Sequence, residues 1–186
     1  MAEHGVCPWW VGYLLTSPLR RWLQDPAAIV GPFVSEGMTV LEPGPGMGFF
    51  TLELARRVGP KGRVVAIDVQ PKMLAGLTKR AARAGLSDRI EVRLPKGEHL
   101  GVEDYAGQVG FALAFAMVHE VSNPAAFFGD IHNALKSGGR LLFAEPAGHV
   151  RAKAFEASLD LARNAGLVIE GHPSIRRSHA AVLARA

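Results

Sequence analysis

The stretch VLEPGPGMGFF, residues 40–50, sets three glycines and two prolines within residues 42–48, directly after an apolar run. Glycines let a ligand or another segment approach the backbone where no Cβ intervenes, and prolines fix their own φ. Pro43 and Pro45 also push Glu42 and Gly44 toward extended backbone, so the loop is shaped before any ligand arrives. A strand followed by Gly44, Gly46 and Gly48 and then a helix is where doubly wound sheets bind nucleotide-like ligands. The dinucleotide pattern needs glycine at the first, third and sixth positions. Counted from Gly44, the sixth position is Phe49, so the NAD pattern fails. The spacing is instead acid-x-Gly-x-Gly-x-Gly, with Glu42 at the end of the preceding strand.

Outward from this loop, short apolar runs alternate with helical patterns, as in a parallel sheet wound by crossover helices. The predicted strands are Met38–Leu41, Arg63–Val69, Ile90–Leu94, Phe111–Ala116 and Arg140–Ala144, nearly all continuous apolar runs of the kind covered on both faces. Three-to-four spacing predicts helices over Phe49–Val58, Pro71–Ala84 and Pro124–Leu135, with Pro71 and Pro124 at helix starts and Gly85 and Gly138 as stops. After a helix near Ala152–Asn164, two strand-like runs, Leu167–Ile169 and Ala180–Leu183, flank EGHPSIRRSH, a reversal that makes the last strand antiparallel. Residues 1–33 hold all three tryptophans in Pro-bounded pieces and read as a cap.

Composition bounds the function. The 186 residues suffice for one α/β domain, and a hydrophobic share of 48% with 20% charged is that of a globular protein. The formal charge of +4 is spread over pairs such as Arg56-Arg57 and Arg176-Arg177 rather than gathered in a stripe, which speaks against nucleic acid as partner. A single cysteine, Cys7, excludes an intramolecular disulfide, and no Cys/His grouping has zinc-site spacing, so no metal is expected. The N-terminal apolar run Val6–Leu15 is broken by Pro8 and is far shorter than the roughly 20 residues of a spanning helix. A cytoplasmic location is the expectation.

Beyond the glycine loop, four further passages fall in a telling order: AIDVQPKML at the second strand, KGEHL after the third, FALAFAMVHEV at the fourth, and LKSGGRLLFAEP at the fifth. Together, over residues 38–146, the chain resembles the class I S-adenosylmethionine-dependent methyltransferases, the broad group that includes ubiquinone-biosynthesis and arsenite methyltransferases. The resemblance implies a Rossmann-like, doubly wound, mostly parallel seven-stranded sheet with an antiparallel C-terminal strand and helices on both faces. It implies one methyltransferase domain over 1–186, with a helical cap or lid at 1–33 and the Rossmann-like core at 34–186. S-adenosylmethionine would be the cofactor and S-adenosylhomocysteine the product. The cofactor would lie against Glu42, Gly44, Pro45, Gly46 and Gly48, with Asp68 on the ribose hydroxyls, Val69 and Met73 beside it, and Gly97, Glu98 and His99 near the adenine. A helix cap at Asp68 and a solvated loop acid at Glu98 are the plainer alternatives. Gly110 and Phe115 depart from the family pattern, which commonly has an aspartate and a polar residue there; Phe115 suggests an apolar wall beside the cofactor's methionine part or the substrate. Pro43, where a small or branched residue is usual, could alter the loop's path.

Methyl transfer from a sulfonium needs alignment and exclusion of water, and a base only where the acceptor carries a proton of high pKa. Ligands in such sheets bind beyond the carboxyl ends of the strands, so the candidate bases are His119 and Glu120 after the fourth strand and Glu145 and His149 after the fifth. His119 and Glu145 are the catalytic candidates, though His119 could simply start a helix and Glu145 could bind a backbone amide. Arsenite methyltransferases use several cysteines, and this chain has one. The N-terminal segment is the expected substrate cover, with Trp9, Trp10 and Tyr13, together with His119, lining a pocket for a small, largely apolar acceptor. With Trp22, Arg20 and Arg21 the same segment could instead contact a membrane surface and admit a lipid-like quinone precursor. A nucleic-acid methyltransferase would need a base-binding motif after the fourth strand, and AMVHEV is not one. A non-catalytic cofactor-binding protein would keep the loop without turnover; monomer and homodimer are both compatible with the sequence.

Overall fold

The computed structural model describes residues 24–186. Among them the strands are β1 (Thr39–Pro43), β2 (Arg63–Ile67), β3 (Ile90–Arg93), β4 (Val109–Phe115), β5 (Leu135–Pro146), β6 (Leu167–Gly171) and β7 (Ser178–Arg185). The helices are α1 (Pro26–Val30), α2 (Thr51–Val58), α3 (Pro71–Arg83), α4 (Pro124–Ala134) and α5 (Ala152–Asn164). One seven-stranded sheet runs in the order β3-β2-β1-β4-β5-β7-β6. The pairings among β1 to β5 are parallel, while β7 runs antiparallel to both β5 and β6. The expected α/β sheet with its reversed last strand is therefore what the chain forms.

Successive side chains of a strand point to opposite faces, and the two faces feed separate apolar layers. Phe111, Leu113 and Phe115 of β4 pack with Val30, Leu54 and Val58 of α1 and α2. Ala112 and Ala114, between them in sequence, pack with Phe127, Phe128 and Ile131 of α4 and Phe155 and Leu159 of α5. Leu74 and Leu77 of α3 cover Ala66, on the α2 side. Phe111, Phe127, Phe128 and Phe143 are fully buried, each contributing up to roughly 3 kcal/mol. Such layering explains why the central strands read as unbroken apolar runs.

Several boundaries differ from the sequence expectation. Helix α2 starts at Thr51 rather than Phe49, because the glycine loop continues through Phe50 as turns. Helix α4 ends at Ala134, and Leu135 already pairs with Val109, so Gly138 (φ +69°) lies within the irregular start of β5 instead of stopping the helix. Edge strands β3 and β6 are only partly buried, since neither has a second neighbour to shield it. Of the cap, α1 is described: Val30 and Val34 join the core, and Phe33 stacks on Phe111 with ring centroids 5.3 Å apart. Among the described residues no helix is long and apolar enough to cross a membrane.

Candidate active site

The chain leaves β1 for β2 and β3 on one side and returns to β4 on the other, so the sheet's switch point lies between β1 and β4. In doubly wound sheets the crevice at the carboxyl ends of these strands is the ligand site. Here the crevice is bounded by the glycine loop after Pro43 and by Ala116 and Met117 after Phe115. Each loop glycine is required for a different reason. A Cβ on Gly44 would lie 2.9 Å from Met117 Cβ, and one on Gly48 would lie 2.5 Å from Leu77 Cδ1, so these two seat the loop on its neighbours. A Cβ on Gly46 would meet nothing within 4 Å, and this is the side left open for a ligand.

Two carboxyl groups close this loop from below. Asp68, just past β2, accepts the Gly46 N–H at 3.2 Å with Oδ2 and the Gln70 N–H at 2.9 Å with Oδ1. Burial raises its pKa, and the two amides hold the rise back. Asp68 thus caps its own turn and ties down the loop across 22 residues of sequence. Glu42 is 3% exposed, and burial, with the negative charge of Asp68 nearby, pushes its carboxyl up to about 8. The Thr51 hydroxyl offsets part of that rise, yet it stands outside hydrogen-bonding geometry: Glu42 Oε2 and Thr51 Oγ1 are both buried without a partner among the described residues. On the far side of the loop, an Arg80 guanidinium nitrogen of α3 donates to the Met47 carbonyl.

Across the crevice, the chain beyond β4 turns through Ala116, a non-glycine residue at φ +57°, into a single 3-10 turn, Val118–Glu120. This places the His119 Nδ1 2.7 Å from Oε2 of Glu145 on β5, while the His119 backbone N–H donates to Oε1 at 3.0 Å. Glu145 is 2% exposed and its pKa is raised by burial, a rise opposed by His119. The His119 Nε2 lies 3.8 Å from Glu120 Oε1, and the His149 ring packs edge-on at 4.9 Å. All four base candidates named from the sequence are thereby gathered at the ends of β4 and β5. In the neutral tautomer whose Nδ1 donates to the Glu145 carboxylate, Nε2 keeps its lone pair as the acceptor.

The other expected residues fall in different settings. Glu98 accepts from the Asn123 side chain at 2.8 Å, and His99 pairs with Asp130 of α4 at 3.1 Å, which raises the pKa of the exposed imidazole. Gly97, at φ +62°, makes the turn that presents them. Val69 is 58% exposed beside Asp68. Met73 and Phe115 lie in the interior, the latter 8% exposed with its ring 4.7 Å from Phe50. Trp9, Trp10 and Tyr13, like Cys7, Arg20, Arg21 and Trp22, lie outside the described residues. Sequence reading passed over Thr51, Met117, Asn123 and Asp130. Asn123 was readable as the residue before a helix-starting proline, but Met117 and Asp130 meet the site only through long-range contacts. A cavity of about 260 Å³ between α1 and the 172–177 loop, floored by Leu142, shares no lining residue with this crevice.

This architecture is shared, at a TM-score of 0.86, with a crystal structure of a SAM-dependent methyltransferase from Aquifex aeolicus, which is 25% identical over 97% of this chain and all of that one. Residues 34–172 match the family model described as a methyltransferase domain. The chain belongs to that family, the S-adenosylmethionine-dependent methyltransferases. It is 31% identical to the ubiquinone/menaquinone biosynthesis C-methyltransferase of Pseudomonas putida over 74% of its own length and 54% of the relative's. It is 30% identical to an arsenite methyltransferase of Halobacterium salinarum over 60% of this chain and 28% of that one. The chain thus spans about half or less of the length of these curated relatives.

Proposed function

We propose that this chain transfers a methyl group from S-adenosylmethionine to a small-molecule acceptor, mainly by alignment and exclusion of water, with His119 taking the acceptor's proton. The observation that carries the reading is the His119–Glu145 pair, held at 2.7 Å between the turn after β4 and the end of β5, across the switch point from the glycine loop. The cofactor supplies a methyl on a positively charged sulfur, a leaving group that needs no further activation. The residues present suit it: Gly46 leaves room for close approach, Asp68 offers a carboxylate to a ribose diol, Val69 an exposed apolar face, and Glu98 an acceptor for an adenine amino group.

Positioning of reactants can lower a barrier by on the order of 7–11 kcal/mol, and a well-placed base adds roughly 10²–10⁴-fold. His119 fits the second role, because Glu145 orients its ring and stabilises the imidazolium that forms. A built base favours an acceptor whose proton must leave, such as a hydroxyl or an acidic C–H. The likeness to a quinone-biosynthesis C-methyltransferase supports an oxygen-bearing ring of this kind. Trp9, Trp10 and Tyr13 would cover such an acceptor.

Calorimetric titration with S-adenosylmethionine, S-adenosylhomocysteine and NAD(H), with and without Asp68→Ala, tests the cofactor site. Micromolar binding of the first two, weakened at least tenfold by D68A, is expected; binding of NAD(H) instead overturns the reading. Methyl release against a panel of quinols and phenols then tests the acceptor. His119→Ala should lower kcat roughly 10²-fold or more while leaving cofactor affinity unchanged.

A further inference from the structure

The fold collects cations that the sequence scatters. The Ala147 N–H donates to the Arg177 carbonyl at 2.9 Å and so extends the β5–β7 ladder past Pro146 and Ser178. The chain then turns back at once, since the N–H groups of His149 and Val150 both donate to the Pro146 carbonyl, at 2.9 and 2.8 Å. His149 thereby meets the His119 ring, and Arg151, Lys153, Arg176 and Arg177 stand exposed on the two segments joined there. None of the four holds an acid among the described residues. Elsewhere arginines are paired, as Arg57 is with Glu53 at 2.9 Å and Arg140 with Glu170 at 2.7 Å. The acids at hand are engaged: Glu145 by His119, and Asp25, which shares a cavity wall with Arg176, by the Ala27 amide. Glu156, exposed on α5, pairs with none of the four. Arg177 also keeps φ +58°, a left-handed backbone unfavourable for a long side chain and held only where the surroundings impose it.

We infer that the acceptor carries an acidic group, a carboxylate or a phosphate, and that Arg151 and Arg177 receive it, with Arg176 beside them. This rests on the reading of His119 as the base for that acceptor. Like charges gathered at one rim repel one another, and an anion offsets that repulsion. Guanidinium groups present paired N–H donors that match two oxygens of a carboxylate or phosphate, a geometry a neutral acceptor leaves unused. Both arginines lie within two residues of the turn that carries His149 to His119, so an acid held there keeps its ring beside the His119–Glu145 pair.

The test is methyl release by the full chain with S-adenosylmethionine and matched acceptors: protocatechuate against its carboxamide, and the monophosphate of hydroquinone against its monomethyl ether. At least one acid should exceed its neutral counterpart about tenfold in kcat/KM, mainly through KM, and the pair that shows the preference tells carboxylate from phosphate. Arg177→Asn, which tolerates the left-handed backbone, and Arg151→Gln should each reduce that preference and together bring it near one. Melting temperature and S-adenosylmethionine affinity should stay at the wild-type values, which separates lost recognition from lost folding. Equal use of acid and neutral acceptor in both pairs, or a preference that survives both substitutions, overturns the inference alone. Failure to methylate any of these acceptors overturns the acceptor reading and the inference with it.

Discussion

Gly46 and Gly48 sit two residues apart in one loop, yet substitution should injure them differently. A methyl group on Gly48 at φ +87° would come within 2.5 Å of Leu77 Cδ1, so Gly48→Ala combines backbone strain with overpacking and should cost about 1–3 kcal/mol of stability. On Gly46 the methyl meets no atom; Gly46→Ala adds only the strain of φ +56° but intrudes on the open side, so stability should fall by about 1 kcal/mol while S-adenosylmethionine affinity falls at least tenfold. Thermal denaturation and calorimetry on the two variants separate the effects. At the opposite wall, Glu145→Gln keeps the shape of the side chain but loses the charge that stabilises a protonated His119. It should lower kcat about 10–10²-fold with little change in KM, and should move the acid limb of the kcat–pH profile.

At the scale of elements, α4 anchors the Glu98–Leu100 segment, proposed to face the adenine, as well as part of the core. Its N-cap Asn123 accepts the Ala126 N–H at 3.1 Å through Oδ1 and donates to Glu98 through Nδ2 at 2.8 Å, while Asp130, further along, accepts the Leu100 N–H at 2.7 Å. Asn123→Ala should lose the cap, at about 1 kcal/mol. Asn123→Asp should keep the cap but set a second carboxylate against Glu98, preserving the melting temperature while weakening cofactor binding. The start of α4 at Pro124 was legible because the fit of proline to a first helical turn is local chemistry. The early start of β5 at Leu135 was not, because it depends on pairing with Val109, 26 residues earlier in the chain.

Across the whole molecule, the buried carboxyls Glu42, Asp68 and Glu145 all have pKa values raised by burial. Between the unfolded and folded pKa the native state binds more protons than the unfolded chain, so stability falls as pH rises. For Glu42 the window runs from 4.5 to about 8: its contribution is full below the first value and lost through the second. The melting temperature should therefore decline from about pH 6 to pH 9, and Glu42→Gln should flatten that decline, by about 2–4 °C for each kcal/mol recovered. Saturating cofactor should raise the melting temperature at every pH through mass action. The order of elements, the parallel sheet with its reversed last strand, the glycine loop and the acids Glu42 and Asp68 were determined by the sequence alone, because periodicity, turn chemistry and loop spacing act over a few residues. Only the tertiary structure decided that Met117 presses on Gly44, that Asp130 anchors the Leu100 amide, and that His119 and Glu145, 26 residues apart, are joined by two hydrogen bonds. Such contacts depend on the register of β4 against β5 and on helix packing, which no local pattern of residues encodes.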